Sequence, residues 1–338
     1  MTLRKSVHLA LGGSASVFFI WLVLRAIPLA DLLAVLRSAR PVWVMLAAAA
    51  FGVGYACRIW RWRLMLISHN PELRWSRCAV PFMVSIAANN VLPFRAGDAL
   101  RTVAFTNWLG VPTAKVLATM LVERLLDLLC LLVALGLAMA IFGEHTPGAV
   151  TLISWGALPL IGASCAIVLL LLFPRWLQPP TQWGLGLLHR IAPAAAKTLG
   201  VQMDKLFHTL ETLARRPRIA LLLLWSLLAW SFEAVVFYAI ACALPEMSET
   251  AAAWVAMPVG TLSTMLPSTP GYVGTFHYFV MKAAEALGNA DIAAAAFAFL
   301  VHLALYIPAT LWGGFCFAYW ALSGASGIPT TTTKEASS

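Results

Sequence analysis

The chain has 338 residues, 61% of them hydrophobic and only 11% charged, with a formal net charge of +9 and a mean hydropathy of +0.83. Soluble domains carry about 25% charged residues, so a water-soluble core is excluded. The basic residues sit beside apolar runs, where they act as membrane-surface anchors, so no nucleic-acid partner is expected.

Arg4 and Lys5 precede an apolar run at 7–24. It resembles a signal peptide, but it is long, Arg25 follows it directly and no small-residue cleavage site stands out. It is read as a retained first span. Further runs at 42–66, 113–142, 150–173, 219–244 and 292–320 are each long enough to cross a bilayer. The expected fold class is therefore an all-α polytopic membrane protein with about six full spans, forming one membrane domain over 1–320. Segment 174–218, with Trp183, Leu187 and Ile191 among basic and polar residues, reads as amphipathic helix on the cytoplasmic face. The polar tail 321–338 reads as disordered.

Two apolar regions, 79–109 and 251–287, are interrupted. The first breaks at Leu92-Pro93-Phe94-Arg95-Ala96-Gly97-Asp98 and the second at Leu266-Pro267-Ser268-Thr269-Pro270-Gly271. Proline removes a backbone donor and glycine favours turns, so neither run continues as one straight helix. The pieces before the breaks, 79–92 and 251–265, are short for a span and suit re-entrant half-helices. Both breaks read Leu-Pro-x-x-x-Gly, offset by 174 residues, and Pro41 and Pro217 precede matching spans. Two similar units follow, about 41–142 and about 217–320, each ordered as span, broken hairpin, span.

Lys and Arg dominate 58–77 and 174–218, which places both in the cytoplasm together with both termini. Short acidic loops at 143–149 and 244–250 face outward. Loop 25–41, with three arginines, conflicts and is outweighed by the two larger segments. On this topology the broken hairpins enter from opposite faces as an inverted repeat, a recurrent transporter plan. The expected location is a bacterial-type inner membrane.

The residues able to carry chemistry cluster at the breaks. Arg95 and Arg101 suit an anionic headgroup, Asp98 can pair with an arginine, and Asn89 and Asn90 can satisfy open backbone groups. The second break offers Ser268 and Thr269, while Pro93, Gly97, Pro267, Pro270, Gly271 and Gly274 shape the backbone. Glu123, Arg124 and Asp127 open a long apolar span, as charge-coupling groups, as a salt-bridged cluster with Arg95 or Arg101, or as both. Glu233 lies alone in an apolar run, as a proton-coupling group or as the partner of Arg58 or Arg61. His277 and His302 are a candidate proton-shuttling pair, or simply polar cavity lining. The six cysteines form no CxxC pair, and no metal, P-loop or nucleophile-elbow motif occurs, so neither metal, cofactor nor enzymatic activity is expected.

Three ordered motifs then mark a resemblance. They are Asn89-Asn90-x-Leu92-Pro93-x-Arg95-x-Gly97-Asp98-x-x-Arg101, Glu123-Arg124-x-x-Asp127 and Leu266-Pro267-x-x-Pro270-Gly271-x-x-Gly274. Together they resemble the lysylphosphatidylglycerol synthase transmembrane-region, or flippase-like, family. The resemblance implies a membrane domain that moves or handles polar lipids, with the motif residues as candidate site residues. Full synthases of the family carry a soluble aminoacyltransferase domain after the membrane domain. The 338 residues leave no room for one, so this chain is not expected to make lysylphosphatidylglycerol itself. The leading expectation is flipping of an anionic lipid or lipid-linked precursor, with membrane lipids and a lipid-synthesis enzyme as partners. The alternatives are an intramembrane enzyme acting on a lipid-linked phosphate, and a scaffold for a lipid-modifying enzyme.

Overall fold

The computed structural model describes residues 29–92, 95–142, 162–169, 176, 178–193, 196–197, 199–201, 203–204, 207, 211, 216–265 and 270–323. The span expected at 7–24, Pro93, Leu266–Thr269 and the tail from 324 onward lie outside them, as does most of the run 150–173, of which 162–169 is helical.

Among the described residues the elements are helices: α1 (Leu29–Arg37), α2 (Pro41–Leu66), α3 (Trp75–Val91), α4 (Ala96–Val103), α5 (Thr106–Leu109), α6 (Thr113–Phe142), α7 (Gln178–Ile191), α8 (Arg216–Ala243), α9 (Ala252–Ser263), α10 (Thr275–Ala286) and α11 (Asp291–Leu322). A 3₁₀ turn at Pro270–Tyr272 lies between α9 and α10. Among the described residues, four helices are long and apolar enough to cross a membrane: α2, α6, Ile219–Ala243 within α8, and α11. Their bounds fall close to the apolar runs, because uninterrupted apolar sequence in lipid has no better option than a helix that satisfies its own backbone. α1 occupies what reads in the sequence as loop. α7 leaves Trp183, Leu187 and Ile191 exposed at four-residue spacing, the apolar face expected of an amphipathic helix.

Helix ends follow local chemistry. Pro41 sits at the first position of α2, where a missing N–H costs nothing. The preceding Arg40 N–H donates to the Ala243 carbonyl at 2.8 Å, tying the start of α2 to the end of α8. α3 and α9 each stop short of a span's length, and each carries a proline at its seventh residue, Pro81 and Pro258.

α2 packs along α8, and α3 along α11, while α9 packs against α6. α4 folds back on α3 and touches α6; α10 folds back on α9 and touches α11. The α3–α4 return depends on Gly97. A Cβ there would collide with the Ser85 carbonyl oxygen and lie 2.8 Å from Asn89 Oδ1. One apolar core gathers α8, α9, α10 and the first half of α11; a second gathers α2, α3, α5 and α6 around Trp62, Phe82 and Phe105.

Candidate functional site

Both breaks turn through residues that rarely adopt the left-handed conformation. Arg95 has φ 52° and Tyr272 φ 58°, and each stands two residues before a glycine, Gly97 and Gly274. Such a conformation costs about 1–2 kcal/mol in a non-glycine residue and persists where surrounding structure enforces it.

The breaks meet on α11. Asn90, at the end of α3, donates from Nδ2 to Thr310 Oγ1 at 2.9 Å, and Tyr306 donates its hydroxyl to the Asn90 carbonyl at 3.3 Å. One turn earlier, His302 Nε2 bonds the Gly271 carbonyl at 2.9 Å. A Cβ on Gly271 would stand 3.3 Å from the Asn90 carbonyl oxygen. Tyr306 and Thr310 were missed in the sequence, although His302, Tyr306 and Thr310 form a polar stripe at four-residue spacing in an apolar span.

The two histidines join at 3.0 Å, His302 Nδ1 to His277 Nε2. The Gly274 N–H donates to His277 Nδ1 at 3.1 Å, which fixes the tautomers. His277 Nε2–H then donates to His302, and His302 Nε2–H donates to Gly271. The chain starts on a backbone donor and ends on a backbone acceptor, so the pair clips the second break shut at Gly271 and Gly274. His302→Ala would leave the Gly271 carbonyl and His277 Nε2 without partners. It is expected to cost about 1–3 kcal/mol in detergent-solubilised unfolding, and His302→Gln, which keeps a donor, less.

The charged residues form two linked clusters. In the first, Asp98 accepts from Arg124 Nη2 at 3.2 Å and from Asn89 Nδ2 at 2.9 Å, while its own N–H donates to Asn89 Oδ1 at 3.3 Å. Ser85, also missed in the sequence, reaches Asp98 at 3.4 Å. Arg101, expected beside Arg95 as a headgroup ligand, is sealed. It has no exposed surface, bonds Glu123 through Nη2 at 2.7 Å, and lies 3.9 Å from the Trp62 ring centre and 4.5 Å from that of Phe82.

In the second cluster Arg61, fully buried, donates from Nη1 to Asp127 at 2.7 Å and to Ser226 at 2.8 Å. Trp230 Nε1 donates to the same Asp127 oxygen at 3.1 Å. Arg58 pairs with Glu233 at 2.9 Å and lies 4.4 Å from the Trp230 ring centre. The pairing alternative for Glu233 is therefore what the structure contains. Arg58 and Arg61 are thus part of the interior of α2, and not loop anchors as the charge count takes them. Ser226, Trp230 and Glu233 share one face of α8, a pattern readable from their spacing of four and three.

The family model for the lysylphosphatidylglycerol synthase TM region matches residues 7–313. The chain belongs to that family. A search of curated proteins returned no match. Membership and the four long apolar helices make it a multi-pass membrane protein with a membrane-lipid role. Within this transmembrane-region chain, the three motifs that carried the resemblance supply Asn89, Asp98, Arg101, Glu123, Arg124 and Asp127 to the charged clusters. The same motifs supply Asn90 and Gly271 to the point where the breaks meet. Ser268 and Thr269 lie outside the described residues.

Proposed function

We propose that this protein carries a polar, anionic lipid or lipid-linked precursor across the bilayer, along a groove lined by the two breaks. The observation that carries the reading is a charge balance. Arg58, Arg61, Arg101 and Arg124 are matched by Asp98, Glu123, Asp127 and Glu233 in ion pairs of 4.0 Å or less. Arg95 is left over. It is exposed at the first break, in a left-handed turn, with no ion-pair partner among the described residues. An unpaired guanidinium in a membrane domain is expensive to keep without a use, and its fork suits a phosphate.

The packing supports an inverted repeat of two units, within a plan of about six spans and two re-entrant hairpins. Exchanging α2 with α8, α3 with α9, α4 with α10 and α6 with α11 maps the contacts among these helices onto themselves: α3–α11 becomes α9–α6, and α4–α6 becomes α10–α11. Half-helices that meet at a break within the membrane are how such repeats build a substrate site. The second break, held by the histidine clip, shapes the groove; the first holds the headgroup. A bacterial-type inner membrane with cytoplasmic termini fits this reading, and so does a lipid-synthesis enzyme supplying the cargo.

Proteoliposomes holding the full chain and a fluorescent phosphatidylglycerol test it. The wild type is expected to speed leaflet exchange over empty liposomes. Arg95→Gln should slow exchange of the anionic lipid about tenfold or more, the worth of one charge-assisted hydrogen bond, and affect a zwitterionic lipid far less. Wild-type exchange no faster than that of empty liposomes, across several anionic lipids, would sink the proposal.

A further inference from the structure

Away from the breaks, a cavity of about 1020 Å³ opens between the start of α3, α5 and the end of α11. Small-molecule sites span about 300–1,000 Å³, so this one is large enough for a lipid headgroup with part of its tails. Its lining on α11 runs from Ser323, at the end of the helix, down to Trp312, about 16 Å deeper at 1.5 Å per residue. One end is therefore polar and the other apolar.

The polar end carries two arginines. Arg77 is held in place: its Nε donates to the Trp108 carbonyl at 2.7 Å, Trp108 Nε1 donates back to the Arg77 carbonyl at 2.8 Å, and the guanidinium lies 5.4 Å from the Trp108 ring centre. Arg74 precedes the first turn of α3 and is exposed. Neither arginine has an ion-pair partner among the described residues, and Glu72, the one acid in the lining, pairs with neither. The lining therefore carries a net positive charge at the level where a span ends. The deeper end is walled by Val80, Trp312 and Phe315, the last of them 74% exposed.

We infer that this cavity is a second lipid site, holding an anionic phospholipid with its phosphate on Arg74 and Arg77 and a tail along Val80, Trp312 and Phe315. It lies at the opposite end of α3 from the first break. From Arg77 to Val91 is about 21 Å along the helix. The site stands whether or not the breaks carry lipid across.

Native mass spectrometry of the full chain in detergent, titrated with dioleoylphosphatidylglycerol or dioleoylphosphatidylcholine, reads the site. The parent protein should retain phosphatidylglycerol about tenfold more tightly than phosphatidylcholine. The double change Arg74→Gln with Arg77→Gln should remove that preference, while the exposed control Arg37→Gln keeps it. Should the double variant fail to fold, Ser76→Trp leaves both charges and fills the cavity from its exposed rim, and should displace the lipid. All comparisons are made in an Arg95→Gln background, so that lipid held at the first break is not counted, and retention of phosphatidylglycerol at the parent's strength by either variant overturns the inference. So does full competition by glycerol 3-phosphate at equal concentration, which would make the ligand a free phosphate compound.

Discussion

Glu123→Ala is expected to destabilise the protein by about 3–5 kcal/mol, the usual cost of stranding one member of a buried ion pair. Arg101 has nowhere else to go. Its side chain has 0% exposure and that of Glu123 has 5%, and the guanidinium is pinned between Trp62 and Phe82. Water does not reach it, and the aromatic faces offset only part of a missing carboxylate. The matched removal behaves differently. Arg101→Met combined with Glu123→Leu takes out both charges at similar volume and should lie within about 2 kcal/mol of wild type, or above it. Chemical unfolding of wild type, Arg101→Met, Glu123→Leu and the double variant in one detergent gives the coupling energy directly. A loss below about 1 kcal/mol for Glu123→Ala would mean that the pair is not sealed. Leaflet exchange by the double variant then separates roles: near-wild-type exchange makes the pair a brace, and lost exchange makes it part of the path.

Gly97→Val is expected to be comparably severe, about 3 kcal/mol or more, at the upper end of what over-packing costs. A Cβ at this position collides with backbone, the Ser85 carbonyl, and backbone cannot rotate away as a side-chain tip can. α4 must lift off α3, and lifting it pulls Asp98 from Asn89 and Arg124 together. Folded protein that has lost only this return should still show its helical signal, with leaflet exchange reduced as strongly as in Arg95→Gln. Gly136→Ala is the contrast. Nothing lies within 4 Å of a Cβ there, and alanine favours the helix by about 1 kcal/mol. Equal behaviour of the two variants would refute the close approach at Gly97.

The long helices were readable because an apolar run in lipid has few structural options; the run 113–142 and Thr113–Phe142 coincide. The breaks were readable for the converse reason, since proline and glycine are local instructions. The pairing of charges was readable only as alternatives, Glu233 with Arg58 or Arg61 and the Glu123–Asp127 cluster with Arg95 or Arg101. Arg58 and Glu233 are 175 residues apart and Arg61 and Asp127 66 apart, and nothing local says which acid an arginine meets. Arg58 and Arg61 follow an apolar run and precede more arginines, so position alone classes them as surface anchors. Arg101 was read as a headgroup ligand for a related reason, and the structure contains its other reading, the pair with Glu123. Arg101 shares a short helix with Asp98, but its side chain points toward α6 and the aromatic core instead of the break. A helical-face reading finds part of what was missed, because Ser226, Trp230 and Glu233 line up, as do His302, Tyr306 and Thr310.

The balanced interior has an electrical consequence. Moving one elementary charge across the bilayer costs or yields about 2.3 kcal/mol per 100 mV. Four arginines paired with four carboxylates present no net charge to that field. Among the residues of the breaks and the two clusters, Arg95 is the one left to feel it, and a singly anionic headgroup seated on Arg95 cancels that charge. A loaded site of this composition is electrically silent: its motion neither consumes the membrane potential nor is driven by it. One-for-one exchange of a singly anionic lipid should then proceed at the same rate whether or not the proteoliposomes are energised, while net one-way transfer, which returns Arg95 empty across the field, should respond to the potential.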